Sequence, residues 1–154
     1  MKYIELTQNK KALVDDEDFE DLNAFKWTYC NGYAARKKPG NKNFFLHTSV
    51  MKCPLGKKVD HINGDALDNR KCNLRICTQA QNLRNQKLSK GNTSGYKGVS
   101  FMKSGRRQKR WVVKIVLDYK QKHVGYFATK EEGARAYNKA ATKLFGEYAN
   151  LNKV

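Results

Sequence analysis

The order of secondary-structure signals between residues 59 and 82 restricts the fold of this chain more than any other feature. A strand-like run at 59–62 precedes Asn63-Gly64, a pair typical of tight turns. A second strand-like run follows at 73–76, and residues 78–81 (Thr-Gln-Ala-Gln) match the capping box at which helices begin. These signals predict an antiparallel hairpin followed directly by a helix over residues 78–88.

Four polar side chains have defined positions in this predicted unit. Asp60 and His61 lie on the first strand, Asn73 begins the second strand, and Asn82 falls in the first turn of the helix. Cleavage of a phosphodiester needs a base for water, which an imidazole supplies, and an electrophile for the developing negative charge. Magnesium supplies the electrophile with only one or two protein ligands, and Asp60 and Asn82 are suitable oxygen donors. Because side chains alternate along a strand, Asp60 and His61 are expected to point in opposite directions. One arrangement consistent with this has the ion on one side of the scissile phosphate and the base on the other.

The charge of the chain selects among possible partners. Its 154 residues carry a formal net charge of +17, and six of the fourteen acidic residues lie between Asp15 and Asp21. A field of this sign attracts nucleic acid first and an anionic membrane second. No apolar run approaches the length of a membrane span, and the N-terminus lacks the apolar core of a signal peptide. The membrane interpretation is therefore the weaker one.

The four cysteines, Cys30, Cys53, Cys72 and Cys77, contain no Cys-x-x-Cys pair. Structural zinc sites usually have tighter paired spacings, so a zinc site built from Cys53, Cys72 and Cys77 is the minor alternative. The sequence favours free thiols, as expected in a reducing cytoplasm.

Residues 1–45 are predicted to form a small scaffold of short strands around one acidic helix. Residues 3–6 and 12–14 are strand-like, and the carboxylates at 15–21 suit the first turns of a helix, where the dipole favours negative charge. The helix face is predicted to consist of Phe19, Leu22 and Phe25, and the core beneath it of Trp27, Tyr29, Tyr33 and Phe44.

A polar, glycine-bearing segment at 89–94 is predicted to link this part to a second unit over residues 95–152. Apolar residues alternate along 111–117, which predicts a strand with neighbours at 96–101 and 122–127. A second capping box at 129–132 starts a helix that Gly146 ends. The helix face toward the sheet is predicted to consist of Gly133, Tyr137, Ala140, Ala141 and Leu144.

The first part of the chain, about residues 1–88, resembles the HNH endonucleases, and among them the phage and intron-encoded nicking and homing enzymes. The matching residues are Leu46-His47, Val59-Asp60-His61-Ile62-Asn63-Gly64, Leu67-Asp68-Asn69-Arg70, Asn73-Leu74-Arg75 and Thr78-Gln79-Ala80-Gln81-Asn82. The resemblance implies a ββα-metal finger over about 56–88, with His61 as general base and Asp60 as metal ligand. Asn73 would tie the hairpin together and hold His61 in place.

One position departs from the commonest pattern of that family. Asn82 stands where many members have their last histidine, and the resemblance assigns it as the second metal ligand. The homing subgroup shares this departure, which favours Mg²⁺ or Mn²⁺ over a softer ion. His47 is predicted to contact DNA or to cap the element before Met51, and no catalytic role is assigned to it.

Residues 95–152 resemble the Apetala-type DNA-binding domain of plant ethylene-responsive factors, which also occurs fused to phage HNH nucleases. The matching residues are Gly95-Tyr96-Lys97-Gly98-Val99, Trp111, Lys114-Ile115, Gly125-Tyr126-Phe127, Glu131-Glu132, Ala134-Arg135-Ala136-Tyr137, Ala140-Ala141 and Asn150-Leu151-Asn152. The resemblance implies a three-stranded antiparallel sheet packed on one helix, with the sheet in the major groove. From Gly91 onward, fourteen Lys and Arg residues against four acidic residues agree with DNA binding.

The plant domains read bases with arginines and tryptophans, whereas the comparable positions here are Lys97, Ser100, Lys114, Val116, Gln121 and His123. The plant target sequence is therefore not transferred to this chain. The residues predicted to contact DNA are Arg75, Arg84, Lys97, Ser100, Lys103, Arg106, Arg107, Lys109, Arg110, Lys114 and His123. The basic residues between 103 and 110 crowd one predicted hairpin, where they would meet phosphates.

These observations predict an α+β chain with an HNH endonuclease domain at 1–88, a linker at 89–94 and an ethylene-responsive-factor-like domain at 95–152. The predicted function is metal-dependent hydrolysis of duplex DNA, of the nicking or homing type, in the cytoplasm of a bacterial host of a phage or mobile element. One catalytic site per chain favours a monomer that nicks, and neither a membrane nor a small-molecule substrate is expected.

Two alternatives remain open at this point. The first is a non-catalytic DNA-binding regulator with a relic finger, although a relic would be expected to lose a member of the set Asp60, His61, Asn73 and Asn82. The second is an RNA-binding accessory protein, because basic hairpins with aromatic residues also suit RNA.

Overall fold

The computed structural model describes residues 1–40, 42–85, 88–89, 91–103, 110–118 and 120–154. They divide into two compact units, 1–82 and 83–154, and each unit has its own hydrophobic core. Short helices and antiparallel sheets make up the described chain, so the predicted α+β class is confirmed. No helix in the described ranges is long and apolar enough to cross a membrane.

The first unit begins with a β-hairpin, an acidic helix and a three-stranded sheet. Strands β1 (Lys2–Glu5) and β2 (Lys11–Val14) pair antiparallel, and α1 (Asp16–Asn23) follows them. Strands β3 (Thr28–Cys30), β4 (Tyr33–Lys37) and β5 (Asn43–Phe45) form an antiparallel sheet in that order and lead into α2 (Leu46–Val50). The first turn of α1 is acidic, as its dipole favours.

The core of the first unit corrects two of the predicted aromatic positions. Trp27 is buried as predicted, and its indole Nε1 donates to the Leu22 carbonyl oxygen at 2.8 Å. Phe25, by contrast, follows the end of α1 and is 47% exposed, and Tyr33 is 38% exposed. The Arg36 guanidinium lies 3.7 Å from the centroid of the Phe25 ring. A cation–π contact at the surface therefore accounts for Phe25, in place of the predicted burial.

The predicted hairpin and helix are present. Strand β6 (Lys58–His61) pairs antiparallel with β7 (Leu74–Cys77), and α3 (Gln79–Arg84) follows, ending before the predicted Leu88. The capping box forms reciprocally: the Gln81 N–H donates to the Thr78 hydroxyl at 3.2 Å, and the Thr78 N–H donates to Gln81 Oε1 at 2.8 Å. Asn73 lies in a 3₁₀ turn (Lys71–Asn73) just before β7, not in the strand itself.

The second unit is a three-stranded antiparallel sheet packed on one helix, as predicted. Its strands are β8 (Val99–Phe101), β9 (Trp111–Leu117) and β10 (Lys120–Phe127), with β9 in the middle, and the helix is α4 (Lys130–Phe145). Val113 and Ile115 of β9 are buried in the core that includes α4. Lys114 and Val116 are exposed on the opposite face, which is the alternation expected of a half-buried strand.

The ends of α4 follow the prediction, but its buried face differs at two positions: Ala134 is buried where Ala140 was predicted, and Phe145 where Leu144 was predicted. The Glu132 N–H donates to the Thr129 hydroxyl at 3.1 Å, and Gly146, at φ +54°, follows the last turn. Leu144 is exposed, which contradicts its predicted place in the core, and Phe145 is buried instead. Phe145 is four residues beyond Ala141, so it lies on the same stripe of the helix.

The residues of the predicted linker include a buried side chain. Ser94 is buried, and its hydroxyl donates to the Val99 carbonyl oxygen at 2.7 Å. Asn92 Nδ2 donates to the Tyr96 carbonyl oxygen at 2.9 Å. These bonds attach the residues before 95 to the sheet, and by its contacts the second compact unit begins at Leu83.

Substitution of Gly98 by alanine is expected to destabilise the second unit by about 2–3 kcal/mol. Gly98 has a φ of +74°, and a Cβ there would lie 2.2 Å from Tyr137 Cδ2 and 2.7 Å from the Lys114 carbonyl oxygen. Gly95→Ala is the matched control, because Gly95 has a φ of +79° but nothing within 4 Å of a Cβ. It should cost only about 1 kcal/mol. Equal losses in urea unfolding of the two variants would contradict this packing argument.

Candidate active site

The β6–β7 hairpin buries two adjacent polar side chains. In the register of the hairpin, Asp60 is opposite Arg75 and His61 is opposite Leu74. Asp60 and His61 are each only 6% exposed. A buried carboxylate and a buried imidazole both need polar partners, because burial without them is costly.

The partner of His61 is the amide of Asn69. His61 Nε2 lies 3.3 Å from Asn69 Oδ1, and both side chains are buried. Asn69 Nδ2 donates to the Leu67 carbonyl oxygen at 3.0 Å, so the amide presents its oxygen to the imidazole. An amide oxygen only accepts, so Nε2 carries the proton of the neutral ring. Nδ1 is then the nitrogen with the basic lone pair.

The backbone around Asn69 is joined to the N-terminal hairpin. The Asn69 N–H donates to the Leu13 carbonyl oxygen at 2.8 Å, and the Leu13 N–H donates to the Leu67 carbonyl oxygen at 2.8 Å. Asn69 is itself only 1% exposed. Strand β2 therefore fixes the residue that orients His61.

The surroundings of His61 favour its neutral form. Burial lowers the pKa of His61 below the usual 6.5, while the bond to Asn69 and the charges of Asp60, Asp65 and Asp68 act in the opposite direction. Burial has the larger effect. A neutral imidazole with one basic nitrogen is the form that a general base requires.

Two rings from the β4–α2 region, those of His47 and Tyr33, lie beside His61. The His47 ring centroid lies 5.0 Å from that of His61 in an edge-to-face arrangement, and Phe45 stacks on His47 at 5.4 Å. Tyr33 contacts both imidazoles, at 5.6 Å from His47 and 6.1 Å from His61. His47 is thus buried beside His61, and its predicted role in contacting DNA or in capping the element before Met51 stays a prediction.

The stability of the first unit is expected to fall as the pH decreases from 6.5 toward 4, with His47 as one cause. Burial is the main cause that lowers the pKa of His47 from 6.5 to about 3, and the neighbouring His61 imidazole acts in the same direction. The folded state therefore excludes a proton that the unfolded chain binds, so this contribution is complete above pH 6.5 and is lost below it. At pH 5 the loss is about 2 kcal/mol.

Urea unfolding of the wild type and His47→Phe at pH 7.5 and pH 5 tests this expectation. Phenylalanine keeps a ring between Phe45 and His61 but has no titratable group, so the difference between the two pH values should shrink by about 2 kcal/mol. An unchanged difference would show that His47 is not the titrating group.

Asp60 forms an ion pair with Arg75 across the hairpin. Arg75 Nε and Nη2 lie 2.9 Å and 2.7 Å from the same carboxylate oxygen, Oδ2. The Arg75 side chain is only 13% exposed, so water screens this pair weakly. Arg75 was predicted to contact DNA, and the structure places its guanidinium on Asp60.

Asn73 closes the long connection between the two strands. Its Oδ1 accepts from the Asn63 N–H at 3.0 Å, and its Nδ2 donates to the Asp68 carbonyl oxygen at 2.8 Å. The Ile62 N–H donates to the Asn73 carbonyl oxygen at 2.9 Å. Asn73 thus binds the residues that immediately follow His61 to the start of β7.

Asp68 adds a second set of bonds to the same connection. Its carboxylate accepts from Arg70 Nε at 2.8 Å, from Arg70 Nη2 at 2.7 Å and from Asn63 Nδ2 at 3.0 Å. These bonds, chiefly those from the Arg70 side chain, hold the pKa of Asp68 below its usual value. The connection is therefore fixed by its own side chains.

Asn82 lies in the first turns of α3, which follows β7 directly, and is half-buried. Asp60 and Asn82 offer a carboxylate and an amide oxygen, a donor set that suits a hard divalent ion. The described residues contain no group of three or more His, Cys, Asp or Glu side chains placed to hold a metal. An ion at this site would therefore depend on few protein ligands. All four cysteines are free thiols.

Sequence reasoning assigned no role to Asn69 or Asp68 and missed the ion pair between Asp60 and Arg75. The partners of Asn69 and Arg75 are 8 and 15 positions away in the chain. Those of Asp68 are 2 and 5 positions away. Strand alternation would have indicated the pair, since Asp60 and Arg75 are opposite each other once the hairpin register is known. No local pattern indicates that the Asn69 side chain points to His61.

The outer face of the second sheet contains several of the predicted DNA contacts. Cross-strand partners are Lys114 with His123, and Val116 with Gln121, and Ser100 on β8 is opposite Val112. Cross-strand partners share a face of the sheet, so these residues lie together on the side away from α4. Ser100, Lys114 and His123 are exposed.

The other predicted contacts differ in their surroundings. Arg110 lies 4.7 Å from the Phe101 ring centroid and donates to the carbonyl oxygens of Met102 and Lys103. Lys97 Nζ donates to the Arg84 carbonyl oxygen at 2.5 Å, and burial lowers the Lys97 pKa. Arg84 lies over the Phe145 ring, at 4.6 Å from its centroid. Arg106, Arg107 and Lys109 lie outside the described residues.

Comparisons with known proteins relate this chain to HNH endonucleases. Residues 52–84 match the family model described as HNH endonuclease. An uncharacterized HNH endonuclease of Acanthamoeba polyphaga mimivirus is 32% identical over 148 residues, which span 93% of this chain and 75% of that protein. Protein 3.8 of Escherichia phage T7 is 32% identical over 98 residues, which span 64% of this chain and 78% of that protein. No solved structure gives a significant match.

The matched family segment includes both strands of the hairpin and the whole of α3, with Asp60, His61, Asn73 and Asn82 in it. The relative from mimivirus extends the similarity over nearly the whole chain. This protein therefore belongs to the HNH endonuclease family and is a nuclease.

Proposed function

We propose that this protein hydrolyses phosphodiester bonds in duplex DNA, with His61 as the general base and one Mg²⁺ or Mn²⁺ held by Asp60 and Asn82. HNH endonucleases generally use divalent metal ions. The observation that carries the proposal is the buried His61 imidazole, which is kept neutral by burial and oriented by Asn69. It is adjacent in the chain to the buried carboxylate of Asp60.

The proposed roles follow from the chemistry of these side chains. His61 accepts the proton of an attacking water at Nδ1, because its Nε2 donates to Asn69. The divalent ion, when bound, supplies stabilisation of the charge on the phosphate and the leaving oxygen. Asn73 holds the residues after His61 to the start of β7, which keeps the imidazole in place.

We further propose that the second unit binds duplex DNA through the outer face of its sheet, as the resemblance to ethylene-responsive-factor domains implies. The exposed Ser100, Lys114, Gln121 and His123 on one face support this role, because such side chains can reach base edges or phosphates. The fourteen basic and four acidic residues after Gly91 add electrostatic attraction. Since the strand residues differ from those of the plant domains, a different target sequence is proposed.

Two DNA contacts on one chain raise the effective local concentration of the substrate at the nuclease site. One proposed catalytic site per chain cuts one strand in each event, so a monomeric nicking or homing enzyme is the simplest form of the proposal. Cleavage of both strands would require two sites or a second event.

The test is incubation of the purified full chain with supercoiled plasmid and Mg²⁺ or Mn²⁺, with EDTA and His61→Ala as controls. The proposal predicts metal-dependent conversion to open circles that is lost in both controls. Linear product as the first product would indicate paired active sites. Clear binding of duplex DNA with no cleavage in either metal would overturn the catalytic role and favour a DNA-binding regulator.

A further inference from the structure

We infer that Arg75 keeps the proposed metal site electrically neutral, so that the divalent ion binds weakly to the free protein and tightly only together with a DNA phosphate. This inference rests on the proposed function, because it concerns the ion assigned to Asp60 and Asn82. In this inference the DNA substrate controls how tightly that ion binds at the same site.

The charges of the described site residues lead to this inference. Asp60 contributes one negative charge, and the Arg75 guanidinium, within 2.7–2.9 Å of its Oδ2, contributes one positive charge. Asn82 is uncharged. A divalent ion at Asp60 and Asn82 would therefore raise the net charge of this set from zero to plus two.

Other carboxylates near His61 already have partners. Asp68 is occupied by Arg70, and Asp65 Oδ1 accepts from the Leu67 N–H at 3.0 Å. In the described part of the chain, no set of three or more His, Cys, Asp or Glu side chains is placed to share an ion. A scissile phosphate is the anion that would supply the missing charge and oxygen ligands.

Burial strengthens the electrostatic effect of Arg75 on an ion at Asp60. Asp60 is 6% exposed and the Arg75 side chain 13% exposed, so solvent screens their charges less than it screens a surface pair. The guanidinium would therefore weaken the binding of a divalent ion at Asp60. The negative charge of a bound phosphate would offset this repulsion. Arg75 acts here through Asp60 and is a positioning residue.

Binding of Mn²⁺ to the full chain, followed by the electron paramagnetic resonance signal of the free ion, tests the inference. Titrations of the protein with and without a short duplex DNA give the affinity for Mn²⁺ in each case. The Mn²⁺ bound by DNA alone, and by Asp60→Asn with DNA, is subtracted as background. We expect DNA to raise the affinity of the wild type for Mn²⁺ by about tenfold or more. Arg75→Gln should raise the DNA-free affinity by about tenfold and reduce the effect of DNA.

Two further variants separate charge from structure. Arg75→Lys retains the positive charge and should keep the weak DNA-free affinity even if the hairpin is less stable. Arg70→Gln removes an equal charge from an equally short pair with the buried Asp68. Its Mn²⁺ affinity should stay near that of the wild type, and a gain equal to that of Arg75→Gln would overturn the specific role of Arg75.

The outcomes distinguish this inference from the proposed function. A wild type that cleaves DNA but binds Mn²⁺ equally well with and without DNA would overturn the inference and leave the function standing. Coupled Mn²⁺ and DNA binding without any cleavage would support the inference and overturn the catalytic role. If Arg75→Gln does not fold, as judged by circular dichroism, an Arg75→Lys protein in which DNA has no effect on Mn²⁺ affinity overturns the inference.

Discussion

Replacement of His61 by alanine is expected to lower the rate of DNA cleavage by about 10²–10⁴-fold, the usual contribution of a general base. The variant loses the nitrogen that accepts the proton of water, while the hairpin bonds of Asn73 and the outer face of the second sheet remain. Duplex DNA binding should therefore stay close to that of the wild type. Single-turnover cleavage with saturating Mg²⁺ measures the loss.

His123→Ala provides the matched control, because His123 is an exposed histidine on β10 with its ring 4.5 Å from that of Tyr126. This control should retain the cleavage rate at saturating DNA and change at most the affinity. Added imidazole should partly restore cleavage by His61→Ala, since it replaces the missing base. If His61→Ala cleaved DNA at the rate of the wild type, His61 would be excluded as the base.

Asp60→Asn is expected to abolish metal-dependent cleavage and to destabilise the first unit by about 3 kcal/mol, because removing one partner of a buried ion pair leaves the other charge uncompensated. The charge in question is the guanidinium of Arg75, whose side chain is only 13% exposed. The exposed pair of Lys11 and Glu5 is the control, and its removal should lower the free energy of unfolding far less, because water screens this pair. Urea unfolding in EDTA measures both values.

A double variant separates the two effects of Asp60. Asp60→Asn combined with Arg75→Gln removes both charges and should recover most of the lost stability. It should not recover cleavage, because the carboxylate proposed to hold the ion is still missing. Recovery of cleavage would show that Asp60 serves the hairpin and not the metal.

Much of the fold could be predicted because its signals are local. The capping box at Thr78 forms in the structure, and the Thr129 hydroxyl caps α4. The alternation along β9 separates buried Val113 from exposed Lys114. Each of these signals depends on residues within one turn or one strand, so a single sequence contains the necessary information.

The errors arose where a neighbour distant in sequence decides the outcome. Phe25 is aromatic and next to a helix, but Arg36 covers it at the surface. Tyr33 is partly exposed because it borders His47 and His61 instead of filling the core. Which of two apolar neighbours, Leu144 or Phe145, turns inward depends on the exact phase of α4, and their hydrophobicity alone does not fix it.

The sequence indicates which residues belong to the candidate site, but not the hydrogen bonds and the ion pair that these residues form. Asp60, His61, Asn73 and Asn82 stand in a recognisable order along the chain. The partners of these residues come from elsewhere: Asn69 reaches His61 from the long connection, and Arg75 reaches Asp60 from the opposite strand. Side-chain direction in an irregular connection follows from packing, and no periodicity encodes it.

The backbone bonds between Leu13 and residues 67–69 limit how this nuclease can be recombined with other proteins. A finger excised alone would leave behind strand β2, which receives the Asn69 N–H, and the amide that orients His61 would lose its anchor. The smallest segment that can be transferred to another protein with its catalytic site intact therefore includes the N-terminal hairpin as well as the finger. Gene fusions that keep an active enzyme should have their junctions downstream of α3, and junctions between β5 and β6 should yield inactive chimeras.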